Sequence, residues 1–269
     1  MENIQVSFNL TGKCNLNCTY CAARRQKLTY KDMSSETIYK GYSTIRKKHP
    51  KATLDLTCMG KGEPLLNWKG VLTIDKLSKK DPNTRLFAIT NGTSLVRNKA
   101  IKLAKRGWIL AVSYDGILNE QERKGAKHEI VENTIQELMK ISQTKTIIKM
   151  TVTPLSLPYL KQSLLKLRDL GTKYVMFGPV SPLGKYKGNA GLIEDNSKMS
   201  SLLENVVFAK EIGLKPLLSI QRACGLATGG YYIMPDGSLS ICYLKPIKPT
   251  EDNRKKAQEQ GCLLYNIFK

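Results

Sequence analysis

The sequence predicts an α/β fold built on a parallel sheet. Three observations predict it. Six short runs are apolar and partly β-branched, five segments between them carry apolar residues at helical spacing, and Gly, Asn or Pro marks the changes of period. Strand–helix–strand alternation of this kind joins parallel strands through crossover helices. In such sheets, ligands sit beyond the carboxyl ends of the strands.

The first strand is predicted over 4–10, followed by a cysteine-rich loop. Ser34 or Ser35 then caps a helix that runs to about Lys48 and stops at His49-Pro50. A second strand over 53–58 is broken by Gly60-Lys61-Gly62-Glu63-Pro64, and a helix follows over 68–79. The third strand, 85–90, ends in the turn Asn91-Gly92-Thr93. A lysine-rich helix over 96–106 stops at Gly107, and a fourth strand spans 108–114. Val131, Ile135, Leu138 and Met139 define an apolar helix face within 127–142. The fifth strand, 147–153, the helix 157–170 and the sixth strand, 174–177, complete the alternation. From 178 to 196 the chain is rich in Gly, Pro, Lys and Asn, a loop long enough to suggest a functional role such as lining a substrate entrance. A helix over 200–212 and an apolar stretch over 214–220 follow. The expected organisation is a core domain over 1–213 and a small extension over 214–269.

With 269 residues and 41% hydrophobic content, the chain is long enough for one large domain plus an appendage. No apolar run approaches bilayer length and the first residues are not a secretory signal, so a cytoplasmic protein without a membrane partner is the default. Seven cysteines in that setting point to metal or redox chemistry rather than structural disulfides. The formal net charge is +21. Its lysines are scattered, runs such as Arg46-Lys47-Lys48 and Arg254-Lys255-Lys256 lie near element ends, and aromatics do not interleave with them. That argues against nucleic acid as the partner. Two readings stand: solvated helix faces, or a basic groove for an acidic substrate.

The chemistry starts at Cys14-Asn15-Leu16-Asn17-Cys18-Thr19-Tyr20-Cys21. Three thiols within eight residues converge readily on one inorganic body. A zinc site would want a fourth nearby ligand, and the twenty-five residues after Cys21 supply no Cys or His. A cubane iron–sulfur cluster held by three cysteines leaves one iron open. The run, including Tyr20, resembles the cluster motif of radical S-adenosylmethionine (SAM) enzymes. The resemblance implies a partial (β/α)6 TIM-like barrel. It also implies a [4Fe-4S] cluster on Cys14, Cys18 and Cys21, whose unique iron binds SAM, and cleavage of SAM to methionine and a 5′-deoxyadenosyl radical that takes hydrogen from a substrate.

Further motifs agree with it. Gly60, Gly62, Glu63 and Pro64 resemble the family's GGEP motif, written here Gly-Lys-Gly-Glu-Pro, in which the glutamate accepts hydrogen bonds from the SAM ammonium group. Asn91 resembles the family's TNG ending of strand three, and Ser113 opens an S-x-D-G sequence with Asp115. By resemblance Ser113 bonds the SAM ribose or carboxylate, Asp115 shapes the loop, and Arg123 reaches toward the SAM carboxylate. Met150 and Thr151 face the adenine or pack the core. Cys58 reads as a buried hydrophobe, and His49 and His128 receive no role.

Near the end, Cys224-Gly225, the turn Pro235-Asp236-Gly237 and Cys242 predict a hairpin that returns Cys242 toward Cys224. This resembles the opening of the SPASM and twitch extensions, which bind auxiliary [4Fe-4S] clusters. Only Cys262 remains after it, which excludes a two-cluster SPASM. One auxiliary cluster on Cys224, Cys242 and Cys262 is the expectation, against buried free thiols. The segment 150–154 and Cys224-Gly225 look most like sulfatase- and peptide-maturase relatives, implying oxidation or cross-linking of a residue in a peptide, with a flavodoxin- or ferredoxin-type electron donor. The reading expects no N-terminal peptide-recognition domain, since the cluster motif lies so near Met1. The alternatives are a small-molecule radical dehydrogenase with one auxiliary cluster, an RNA-modifying radical enzyme and a non-catalytic iron–sulfur scaffold.

Overall fold

The computed structural model describes residues 2–21, 31–180, 195–218, 230–241 and 248–253. In chain order the elements are β1 (Asn3–Asn9), α1 (Ser35–Lys48), β2 (Thr53–Met59), α2 (Trp68–Lys80), β3 (Thr84–Thr90), α3 (Ser94–Lys105) and β4 (Ile109–Ser113). They continue with α4 (Asn119–Glu122), α5 (His128–Ile141), β5 (Thr146–Val152), α6 (Leu160–Asp169), β6 (Tyr174–Pro179), α7 (Asn196–Glu211), β7 (Lys215–Leu218), β8 (Tyr231–Ile233) and β9 (Leu239–Ser240). The described residues fall into two compact units: 2–13, 31–89, 230–241 and 248–253 in the first, and 14–21, 90–180 and 195–218 in the second.

The first unit's strands run in the order β3-β2-β1-β8-β9. All neighbours are parallel except the last pair. Val6, Phe8, Leu54, Leu56 and Cys58 are fully buried, as strands covered on both faces require. Helix α1 begins where Ser34 accepts the Thr37 amide and lays Ile38, Gly41, Tyr42 and Ile45 inward at helical spacing. Gly41 is needed there: a Cβ on it would lie 2.8 Å from Ile233 on β8. His49, left without a role by the sequence, caps α1 and sets its Nε2 3.1 Å from the Tyr231 hydroxyl. The predicted hairpin is present as β8–β9. Gly237 holds the turn at φ +85°, and Asp236 accepts the Ser238 amide.

The second unit's strands run β4-β5-β6-β7, all parallel. Trp108, Leu110, Val112, Ile148, Val152, Val175 and Phe177 form its buried centre, and α5 adds the predicted Val131, Ile135, Leu138 and Met139. The apolar stretch after 213 is a strand, β7, paired with β6. The helix predicted over 157–170 starts with a 3-10 turn, Leu157–Tyr159, because Pro158 sits at its start. The predicted α/β class holds, with mostly parallel strands that do not close into a full barrel among the described residues, consistent with the expected partial TIM-like barrel. No helix of the described residues is long and apolar enough to cross a membrane.

Candidate cofactor site

The cysteine loop belongs to the second unit, and main-chain hydrogen bonds hold it. The Asn17 amide donates to the Lys124 carbonyl at 2.9 Å and the Thr19 amide to the Glu122 carbonyl at 2.8 Å. Leu16 is buried over Gly125, where a Cβ would approach Leu16 to 3.2 Å. Asn91, predicted as a cofactor residue, is tied to the loop: its Nδ2 donates to Asn15 Oδ1 at 2.8 Å, and Asn15 Nδ2 donates to Thr93 Oγ1 at 2.8 Å. Asn91 Oδ1 in turn accepts the Thr93 amide, which fixes the turn after β3.

Tyr20 leads into a buried charged network. Its hydroxyl donates to Asp115 Oδ2 at 2.5 Å and accepts from Arg123 Nη1 at 2.5 Å, and Arg123 and Asp115 are 3.7 Å apart. Asp115 is anchored by the Thr151 amide of β5 at 2.8 Å through its other oxygen, and its own amide donates to Asn119. Burial pushes the Tyr20 hydroxyl well above its usual range and raises Asp115 as well, against the pull of Arg123. Burial also works against the Arg123 charge, but Tyr20, Asp115 and Cys18 offset it, so the guanidinium holds its proton more tightly than usual. Next to this trio, Glu122 is buried, bonded to Thr153 Oγ1 at 2.6 Å, and pushed up to about 7 chiefly by burial. Asn119 Nδ2, Glu122 Oε2 and Arg123 Nε have no partner among the described residues.

The Gly60–Pro64 turn belongs to the first unit. The Lys61 amide donates to Asn9 Oδ1 at 3.0 Å, the Gly62 amide to the Thr11 carbonyl at 3.0 Å and the Glu63 amide to the Lys13 carbonyl at 2.8 Å. The turn is therefore sewn to Asn9, Thr11 and Lys13, in the segment that leads into Cys14. The glycines are required by contact: a Cβ on Gly62 would lie 2.1 Å from the Lys13 carbonyl oxygen, and one on Gly60 2.4 Å from Asn9 Oδ1. Glu63 is 3% exposed and caps the 3-10 turn Pro64–Leu66 by accepting the Leu65 amide, with Pro64 at its first position. Asn67 bonds the Leu10 and Met33 carbonyls and caps α2.

The second unit thus groups Tyr20, Asn91 and Arg123 around the cysteine loop, and half-buried Ser113 ends β4 opposite Lys149 in register. Cys224, Cys242 and Cys262 lie outside the described residues, as does most of the loop after 180. Among the described residues Cys14, Cys18 and Cys21 form no disulfide, and thiols are the donor chemistry an iron–sulfur body takes. Burial pushes Cys18 up to about 11, while the Arg123 charge favours its thiolate, the form that ligates. Among the described residues no three His, Cys, Asp or Glu side chains converge as on a single metal ion. Ligands of a cubane sit on separate iron corners and need no such convergence. The orphaned Arg123 Nε fits a cofactor with an anionic end. Sequence reading missed Asn9, Asn15, Glu122, Thr153 and the pairing of Asp115 with Tyr20. The available signal was that Asn9 ends a strand and each of the others lies in the stretch that follows a strand's carboxyl end.

With the cysteine loop and the Gly-Glu-Pro turn both at carboxyl ends of parallel strands, the class is defined. The chain belongs to the radical SAM superfamily, whose family model matches residues 8–155. Among individual proteins, the uncharacterized protein MJ0907 of Methanocaldococcus jannaschii is 25% identical over 245 residues, covering 87% of this chain and 82% of its own. Among solved structures, native anSMEcpe with bound AdoMet and Cp18Cys peptide matches with a TM-score of 0.71 at 18% identity, over 100% of this chain and 82% of that one. Streptococcus suis SuiB bound to precursor peptide SuiA matches with a TM-score of 0.65 at 12% identity, over 98% of this chain and 66% of that one. At these identities the two structures establish the fold.

Proposed function

We propose that this chain is a radical SAM oxidoreductase of the maturase type, which removes hydrogen from a residue of a peptide and leads to its oxidation or cross-linking. The observation that carries the reading is the whole-length fold match to two proteins solved with peptides bound. The charge of +21 supports an acidic peptide as the substrate, drawn in by long-range attraction.

Cys14, Cys18 and Cys21 would hold the [4Fe-4S] cluster. When bound, the cluster supplies the electron that splits SAM into methionine and a 5′-deoxyadenosyl radical. The chain's own residues bind and orient. Gly60 and Gly62 allow close backbone approach, Glu63 accepts from the SAM ammonium group, and Pro64 fixes the turn. Ser113 bonds the ribose or carboxylate, and Arg123 offers Nε to the carboxylate. Asn91 holds the cysteine loop through Asn15, and Tyr20 contributes its ring to the same site. Cys224, Cys242 and Cys262 are assigned to one auxiliary [4Fe-4S] cluster within an extension over 214–269, behind a core over 1–213. The electron donor would be a flavodoxin or ferredoxin, in the cytoplasm.

The test is hydrogen transfer. Reduced protein is mixed with SAM and a peptide deuterated at candidate side chains, and 5′-deoxyadenosine is examined for label. Uptake of deuterium from the peptide is expected. Unlabelled product whose formation is stimulated by an aminocyclitol and not by peptide would replace the peptide reading with a small-molecule dehydrogenase.

A further inference from the structure

We propose that Arg123 and Asp115 are positioning residues for the cysteine loop: through Tyr20 they fix the loop's geometry and set a paired positive and negative charge beside its metal ligands. The proposal rests on the three-cysteine cluster reading. Tyr20 lies between two of the proposed ligands, Cys18 and Cys21. Its hydroxyl bridges Arg123 and Asp115, both at 2.5 Å, across 103 and 95 residues of sequence. Two main-chain bonds flank that bridge, from Asn17 to Lys124 and from Thr19 to Glu122. The segment 122–124 therefore grips the loop at three successive points.

The grip is itself rigid. Asp115 is held by the Thr151 amide of β5 and by Asn119, so the counter-charge is tied to the sheet rather than to a free turn. Asp115 is 1% exposed and Arg123 7% exposed. An ion pair buried so deeply gives little net stability, since apolar side chains of similar volume often do as well. Its consequence is electrostatic: unscreened charges in a low-dielectric interior act strongly on a neighbouring centre that gains or loses an electron. Removal of the positive charge must make reduction of such a centre harder. Removal of the negative charge must make it easier. A scaffold role alone predicts no such opposition of sign.

The test uses the full chain, reconstituted anaerobically. The cluster whose EPR signal changes on SAM addition is identified, then titrated potentiometrically with no SAM present, so that contact of Arg123 with the cofactor contributes nothing. Arg123→Gln is expected to lower the midpoint potential, Asp115→Asn to raise it, and the double variant to fall between them. Arg123→Lys, which keeps the charge, is expected to stay near the wild-type potential but to lose iron to a chelator several-fold faster, as is Tyr20→Phe. Single variants that both keep the wild-type potential, or move it in the same direction, would overturn the proposal. Should the charge-removing variants hold no cluster, iron loss decides: wild-type retention in Tyr20→Phe and Arg123→Lys overturns it. Wild-type protein that takes up no iron removes the cluster reading and this proposal together. Wild-type protein that cleaves SAM while the variants' potentials and iron retention stay unmoved removes this proposal alone.

Discussion

Glu122 shows how one buried carboxyl couples the loop to pH. Burial holds its proton up to about 7, against an ordinary value of 4.5, with Asp115 adding to the shift and Thr153 and Arg123 opposing it. The folded state therefore binds this proton more tightly than the unfolded chain. Its contribution is intact below pH 4.5 and declines as pH rises to about 7, by about 1.4 kcal/mol for each pH unit in that window. Glu122→Gln keeps a partner for Thr153 and removes the titration. Melting temperatures measured from pH 4.5 to 7.5 should show the wild type losing stability relative to the variant as pH rises; a constant difference would contradict this assignment. Gly62 makes a second point at the same scale. Gly62→Ala places a Cβ 2.1 Å from the Lys13 carbonyl oxygen, so the backbone must shift and its bonds to Thr11 and Lys13 must break. The expected cost is about 2 kcal/mol of stability, with SAM affinity reduced at least about tenfold by equilibrium dialysis.

At the scale of elements, β1 to β6 and the long helices were legible because apolar runs and punctuation agreed, whereas β7 read only as an apolar stretch. The run before Asn9, the Ser34 cap and the Pro235-Asp236-Gly237 turn each appear where the sequence predicts a strand, a helix start and a hairpin. What stayed hidden was side-chain pairing between elements. Asp115 reads as a turn residue from local sequence, and only the fold carries it to Tyr20, 95 residues away. Likewise nothing near His49 announces Tyr231, 182 residues on. The short α4 was missed because four residues carry no period. Asn67 is the element-scale case with a clear consequence. It caps α2 through the Gly70 amide and satisfies the Leu10 and Met33 carbonyls. Asn67→Ala loses the cap, removes the side-chain donor to the Met33 carbonyl and leaves the Leu10 carbonyl only the Met33 amide, so a loss of about 2–4 kcal/mol is expected in denaturant titration.

The whole molecule carries a charge of +21 and a fold matched along its length by proteins solved with peptides. If charge draws in an acidic peptide, raising salt from about 0.05 to 0.5 M should weaken peptide binding several-fold and leave SAM binding nearly unchanged, since exposed charges are screened and buried ones are not. A salt-independent peptide affinity would assign the lysines to solvation instead. The central claim concerns three thiols and the cofactor bond they make breakable. Its most direct test is 5′-deoxyadenosine formation by the reconstituted, reduced chain given SAM. The account predicts product from the wild type and none from Cys14→Ala, Cys18→Ala or Cys21→Ala variants that retain the wild-type circular dichroism spectrum. Absence of product from the wild type, or undiminished product from any of those variants, would contradict it.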